Sequence, residues 1–298
     1  MSKNVERSEE LKVKILTVIG RFGWLRIREI SKIVWPEADK KNAFKYADGH
    51  LRRLEKDGYL KLEKLPEYTG TAATLHGKAI RFLKAEGIEV TKVSFNPHEP
   101  GSEWKHVLLT TSLFALLINN TEYCPKDAKY NTDRECKRVE KESTNEVRDY
   151  NGKIKVPDLL LQTVKWGAIA LEVERSQKTG SKNKDPLIRT LILTNTQKAP
   201  YKFGDLTPNL VVLAYDPDQK IIRNGKPHRV NHGKNIFNSV SKQMSLFKIE
   251  KKIRVITFKM KVEKYAAVEV WDDDHYMDRH AIKAFFNPSD IGNFDPTL

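Results

Sequence analysis

Apolar positions in the first third of the chain recur at helical spacing. Leu11, Val13, Ile15, Leu16, Val18 and Ile19 follow Ser8 and predict a capped helix with one apolar face, closed by Gly20 and Gly23. A second, short helix is expected over Ile27–Val34, stopped ahead of Pro36. A third spans Asn42–Lys56 with Phe44, Ala47, Leu51 and Leu54 as its inner positions, and Gly58 supplies the left-handed residue that ends it. The rhythm then shifts to that of strands: Tyr59–Leu62, a turn from Pro66 to Gly70, and Ala72–Leu75. Gly77 opens a fourth helix that runs through Leu83.

Three helices, a two-stranded wing and a closing helix describe a winged helix-turn-helix over residues 1–90, whose third helix would enter the major groove of double-stranded DNA. Leu51-x-x-Leu54-x-x-x-Gly58-Tyr59-Leu60 followed by Thr74-Leu75-x-Gly77 resembles many bacterial winged-helix proteins. From Lys40 to Lys64 there are eight Lys/Arg against four Asp/Glu. Lys45, Tyr46, His50, Arg52, Arg53 and Lys56 are the expected DNA-contacting positions on this stretch. The competing readings are a solvated helix face and a winged helix that touches only protein.

Pro97, Pro100 and Gly101 mark residues 91–102 as a linker, and a second domain is expected over 103–298. Its pattern predicts a helix over Trp104–Ile118, with Arg134–Lys141 as a continuation or a separate piece. Strands follow at Glu146–Tyr150, Lys155–Thr163 and Gly167–Val173, then a helix over Ile188–Thr196 and a strand over Leu210–Tyr215. The order αβββαβ, with further strands at Arg254–Met260 and Ala266–Trp271, is that of an α+β or α/β layered domain. No internal repeat or low-complexity tract interrupts it.

The chemistry concentrates where two of these apolar runs stop. Val156-Pro157-Asp158 starts one strand and Leu171-Glu172-Val173-Glu174 ends the next, and period-two alternation places Glu172 and Glu174 on one face. Asp158, Glu172 and Glu174 converging from neighbouring strands would form an oxygen-donor site for a hard divalent cation. Singly, each carboxylate also reads as a turn residue or as the polar side of a strand. The segments Pro157-Asp158 and Glu172-Val173-Glu174 in this element order resemble the PD-(D/E)XK nuclease superfamily. That resemblance implies Mg²⁺, or Mn²⁺ in its place, held by the Asp and the first acidic residue, with the third motif position helping to activate water. The third position here is Glu174 where Lys is common, and Lys178 is four residues further on.

A narrower resemblance spans about residues 10–215. A winged helix, a helix beginning near His106, Glu135 as an accessory acidic residue upstream, the Pro-Asp strand and Leu171-Glu172-Val173-Glu174-Arg175-Ser176 together resemble the replication-relaxation family of plasmids and other mobile elements. The resemblance implies DNA binding in plasmid replication or mobilisation, alongside partner proteins. Two alternatives stand beside it: a catalytically silent accessory factor or transcriptional regulator, and a restriction or transposon-end endonuclease.

Charge supports an anionic partner: 53 Lys+Arg against 39 Asp+Glu leave a formal net charge of +14 over 298 residues. Between Asp218 and Glu250 the chain carries Lys220, Arg223, Lys226, Arg229, Lys234, Lys242 and Lys248 with no acidic residue. Gly225, Pro227 and Gly233 predict a loop there that grips phosphates without reading sequence, and solvation is its plain alternative. Asp272-Asp273-Asp274-His275, with Asp278 and His280, reads as a turn rather than a metal cluster. Cys124 and Cys136 match no zinc spacing and are expected as reduced thiols. The longest apolar run, Val107–Ile118, is too short to span a bilayer, so a cytoplasmic protein without membrane contact is expected. No heptad run specifies a dimer, although a homo-oligomer is compatible with the chain.

Overall fold

The computed structural model describes residues 3–65, 70–90, 93, 95–98, 104–119, 121, 124–142, 156–164, 167–174, 205–206, 208–215, 220–223, 226–229, 253–257, 261–263 and 266–269. The chain is a mixture of α-helices and small sheets, an α+β protein. It divides into two compact units, Met1–Asn120 with Val262–Glu269, and Thr121–Lys261 with Val270–Leu298.

In the first unit α1 covers Lys3–Phe22 and buries Ile15, Leu16, Ile19 and Phe22, the three- and four-residue spacing of one helix face. It starts five residues before Ser8, which lies exposed within it. Gly20 does not close it. A Cβ there would sit 2.7 Å from Cγ1 of Val90, so glycine permits a close approach, and Gly23, at φ +88°, is the residue beyond the helix end. A three-residue strand, β1 (Trp24–Arg26), leads into α2 (Ile27–Val34).

Helix α3 (Lys40–Lys56) is capped by Asp39, whose carboxylate accepts from the backbone N–H of Lys41 at 3.1 Å and of Asn42 at 3.0 Å. It ends as predicted at Gly58, φ +76°. The N–H of Tyr59 reaches the Leu54 carbonyl at 2.8 Å and that of Gly58 the Glu55 carbonyl at 2.9 Å, a Schellman closure. Strands β2 (Leu60–Lys64) and β3 (Thr71–Leu75) pair antiparallel, and β1 adds to the free edge of β3, giving the order β1-β3-β2. Helix α4 (Gly77–Ala85) follows.

Helix α5 (Trp104–Leu117), expected from sequence beyond a linker, lies within this first unit. Trp104 and Leu108 join Trp24, Leu65 and Ala72 in one buried cluster, and the Phe22 and Phe114 rings meet at 5.0 Å. Beneath α5 a charged pair is buried. Arg26 and Glu29 are 3% and 1% exposed; the Arg26 Nε donates to Glu29 Oε2 at 2.7 Å and its Nη2 donates to Oε1. Ser112 of α5 donates to Glu29 Oε1 at 2.9 Å and accepts from Arg26 at 3.3 Å.

The second unit is built on a five-stranded mixed sheet. Strand β4 (Tyr130–Thr132) runs directly into α6 (Asp133–Glu142), a helix separate from α5. Then come β5 (Leu159–Thr163), β6 (Gly167–Glu174) and β7 (Pro208–Tyr215). A hairpin of β8 (Lys220–Arg223) and β9 (Lys226–Arg229) precedes β10 (Ile253–Thr257). The sheet order is β10-β7-β6-β5-β4: β4, β5 and β6 pair antiparallel, whereas β6, β7 and β10 run parallel. Leu159–Leu161 and Ala168–Val173 are buried at every position, the pattern of interior strands covered on both faces. Strand β5 begins at Leu159 rather than Lys155, because Pro157 has no N–H to give the ladder. Strands β11 (Lys261–Glu263) and β12 (Ala266–Glu269) form a two-stranded ribbon that, from Val262 on, belongs to the first unit. The expected strand 146–150 and helix 188–196 lie outside the described residues.

Candidate functional site

Two surfaces carry the residues singled out by sequence. The first is α3. Ala43, Ala47, Leu51 and Leu54 form its buried line, spaced by three and four residues. Phe44 is therefore not an inner position. It stands one residue, about 100° of helical turn, away from that line and is 46% exposed. Tyr46 is 50% exposed, and Lys45, Arg52, Arg53 and Lys56 are all exposed. Arg52 is oriented along the helix by Asp48, with Nε to Oδ2 at 2.8 Å.

His50 is placed differently. It is half-buried and stacks on Trp35 with ring centroids 5.6 Å apart. Burial, and then the charge of Arg53, hold its imidazole below the ordinary value. Its ring, stacked on Trp35, braces the end of α2 against α3. A sequence signal for the outward Phe44 existed in the four-residue spacing of Ala43 and Ala47, small residues that let α3 pack closely.

The second surface is the end of the β5–β6 pair. Leu159 is registered opposite Leu171, so one more step along the antiparallel ladder brings Asp158 level with Glu172. The Oδ2 of Asp158 accepts from the backbone N–H of Val173 at 2.8 Å, which pins the carboxylate against β6 beside Glu172. Asp158 is half-buried and Glu172 is 3% exposed. Glu174 is the last residue of β6, level with Tyr215 of β7. Among the described residues no group of three or more His, Cys, Asp or Glu side chains is gathered to hold a metal. Asp158 and Glu172 lie level across the two strands, and the side chain of Glu174 lies outside the described residues. Two carboxylates are a fitting donor set for Mg²⁺, which binds through one or two of them and completes its shell with water and substrate oxygens.

Glu135 has a local task. Its Oε2 accepts from the Thr132 N–H at 2.8 Å and from the Thr132 hydroxyl at 3.2 Å, while its own N–H donates to Thr132 Oγ1 at 3.3 Å. Thr132-x-x-Glu135 is a capping box at the start of α6. The next residue, Cys136, is buried; burial first, then the charges of Glu135, Asp133 and Glu172, push its thiol far up. The first turn of α6 therefore lies within electrostatic reach of Glu172.

The basic stretch after Asp218 contains a hairpin where a loop was expected. Lys220 is registered opposite Arg229 and Arg223 opposite Lys226. Pro227 is tolerated because a two-stranded ribbon has edges that need no donor. Lys178, Lys234 and the 272–280 acidic stretch lie outside the described residues. No family model, curated protein or solved structure matches the chain. Among the described residues, no helix is long and apolar enough to cross a membrane.

Proposed function

We propose that this chain is a DNA-binding protein of a mobile genetic element, of the plasmid replication and mobilisation kind. In this reading the first unit is a winged helix that docks α3 in the major groove. The second is a PD-(D/E)XK-type core that cuts or nicks the bound DNA with Mg²⁺. The observation that carries the reading is the outward face of α3, where Lys45, Arg52, Arg53 and Lys56 are exposed on a helix whose opposite side is anchored in the core. A groove about 12 Å wide admits such a helix. The order of α1, α2, α3, a β-ribbon and α4 supports the same reading.

In the second unit Asp158 and Glu172 would hold the metal. A bound Mg²⁺ would supply Lewis-acid polarisation of a phosphodiester and a lowered pKa for an attacking water. The chain's part is positional: the Val173 N–H fixes Asp158, and the central strand β6 holds Glu172 in a nearly solvent-free place. A silent accessory factor is the second reading. It is favoured by the commitment of Asp158 Oδ2 to the backbone N–H of Val173.

Supercoiled plasmid incubated with the protein and Mg²⁺ tests the proposal. Relaxation or linearisation is expected, lost with EDTA and in Glu172→Gln. Salt-sensitive DNA binding without strand breaks supports the accessory factor. A protein that neither binds nor cuts duplex DNA removes the whole reading.

A further inference from the structure

The glycines of the first unit divide by what their conformation and surroundings demand. Gly58 is required by its φ of +76°, and Gly20 by the side chain of Val90 lying against it. Gly49 is required by neither. It is the tenth residue of the 17-residue helix α3, has helical backbone, and a Cβ built on it meets no heavy atom within 4 Å. A glycine in a helix interior lowers its stability relative to alanine, since the chain gives up more freedom and gains no side-chain contact. The fold itself would be better served by alanine there.

Its position on the helix supplies a reason. The buried line Ala43, Ala47, Leu51 and Leu54 occupies one side, and Gly49 falls on the other. One turn away are Lys45, Arg52 and Arg53, and Lys56 is two turns on; all four are exposed. A residue without a side chain therefore sits amid a ring of cations, on the face that points out. We propose that Gly49 is the point of closest approach between α3 and duplex DNA, a notch into which the nucleic acid settles while the surrounding cations take the phosphates. This rests on the DNA-binding reading and adds to it a positioning residue that carries no charge. Anionic DNA is the occupant that matches the charge of this face, where Lys45, Arg53 and Lys56 stand exposed beside Arg52, itself oriented by Asp48.

The test measures stability and binding together, with a fluorescein-labelled mixed-sequence duplex and the full chain. Gly49→Ala is expected to raise Tm by about 2–4 °C and yet to raise Kd roughly tenfold. Gly49→Leu should keep the helical circular dichroism and weaken binding further. Neither should change the slope of log Kd against log salt, because no phosphate partner is removed. Arg52→Ala/Arg53→Ala, by contrast, should flatten that slope. If both Gly49 variants bind like the wild type while the double arginine variant is weakened, the notch is refuted and the DNA-binding reading stands. If the arginine variant also binds unchanged, or the wild type binds no duplex, the DNA-binding reading fails and takes the notch with it. A fall in Tm for Gly49→Ala would show that the fold needs this glycine, which also overturns the proposal.

Discussion

Ser112 donates a 2.9 Å hydrogen bond to Oε1 of Glu29, 83 residues earlier in the chain. The bond closes a buried triad with Arg26 and ties α5 to the start of α2. Asn119 repeats the connection one end further along, donating to the Lys32 carbonyl at 2.7 Å. Residues 104–119 are thus fastened to the first unit by polar bonds as well as by the Trp104 and Phe114 contacts.

Removing one partner of this buried pair leaves the other charge without its counterpart. Arg26→Met is expected to destabilise the first unit by about 3–5 kcal/mol, and Ser112→Ala by about 1 kcal/mol. Urea unfolding of the variants against the wild type measures both.

The pH dependence has a definite sign. Burial alone would raise the Glu29 carboxyl, but the charge and hydrogen bonds of Arg26, with Lys32 and Ser112, hold it below the ordinary value. A depressed folded-state pKa contributes stability that is present above the unfolded value and lost as pH falls through the folded one. The stability advantage of wild type over Glu29→Gln should therefore be full at pH 7 and shrink below about pH 4.3, the ordinary glutamate value. Parallel Tm curves of the two proteins down to pH 3 would refute this.

At α3, Asp39→Ala removes an acceptor from two backbone N–H groups and should lower Tm, whereas Asp39→Ser or Asp39→Asn should largely keep it. The carboxyl is held below its ordinary range chiefly by the Asn42 N–H, so acid should weaken this cap. Thermal scans at pH 7 and pH 3 read the difference.

For Glu135, the capping role predicts that Gln substitutes and Ala does not. Glu135→Gln keeps the box, while Glu135→Ala costs about 0.5–2 kcal/mol. Loss of plasmid cleavage in a stably folded Glu135→Gln variant would instead assign the carboxylate a part in the chemistry.

Both thiols should be silent. Burial raises Cys124 to about 12 and carries Cys136 further up, so neither forms thiolate at neutral pH. A colorimetric thiol reagent at pH 8 should react with neither in the folded protein and with both after unfolding.

Long periodic segments were legible before folding because their own residues determine them. The expected span Ile27–Val34 is α2 as observed, and α3 differs by two residues at its start, where Asp39 caps it. Strands β1 and β4, three residues each, were not legible. Trp24–Arg26 is a strand only because β3 offers it an edge, its partners lying 46 to 50 residues away. Likewise Tyr130–Thr132 depends on β5. Phe44 misleads because hydrophobicity alone assigns it inward, while two alanines set the actual packing line. The proximity of Asp158 to Glu172 follows from two adjacent apolar runs joined by a short turn. The capping box at Glu135 was written in Thr132-x-x-Glu135, although an isolated glutamate on a helix invites a chemical reading first. The β8–β9 hairpin was hidden by Gly225 and Pro227, residues that also suit a loop.

Asp158 and Glu172 belong to the two arms of one hairpin, with only residues 164–166 between β5 and β6. The parallel neighbours β7 and β10 must instead be recruited across 33 and 37 intervening residues, the gaps from Glu174 to Pro208 and from Tyr215 to Ile253. Closing a short loop is entropically cheap and fast, and closing long ones is slower. The carboxylate pair can therefore form in the earliest part of the sheet to fold. Lengthening either crossover would leave the spacing of the pair intact, because that spacing is set within the β5–β6 hairpin alone.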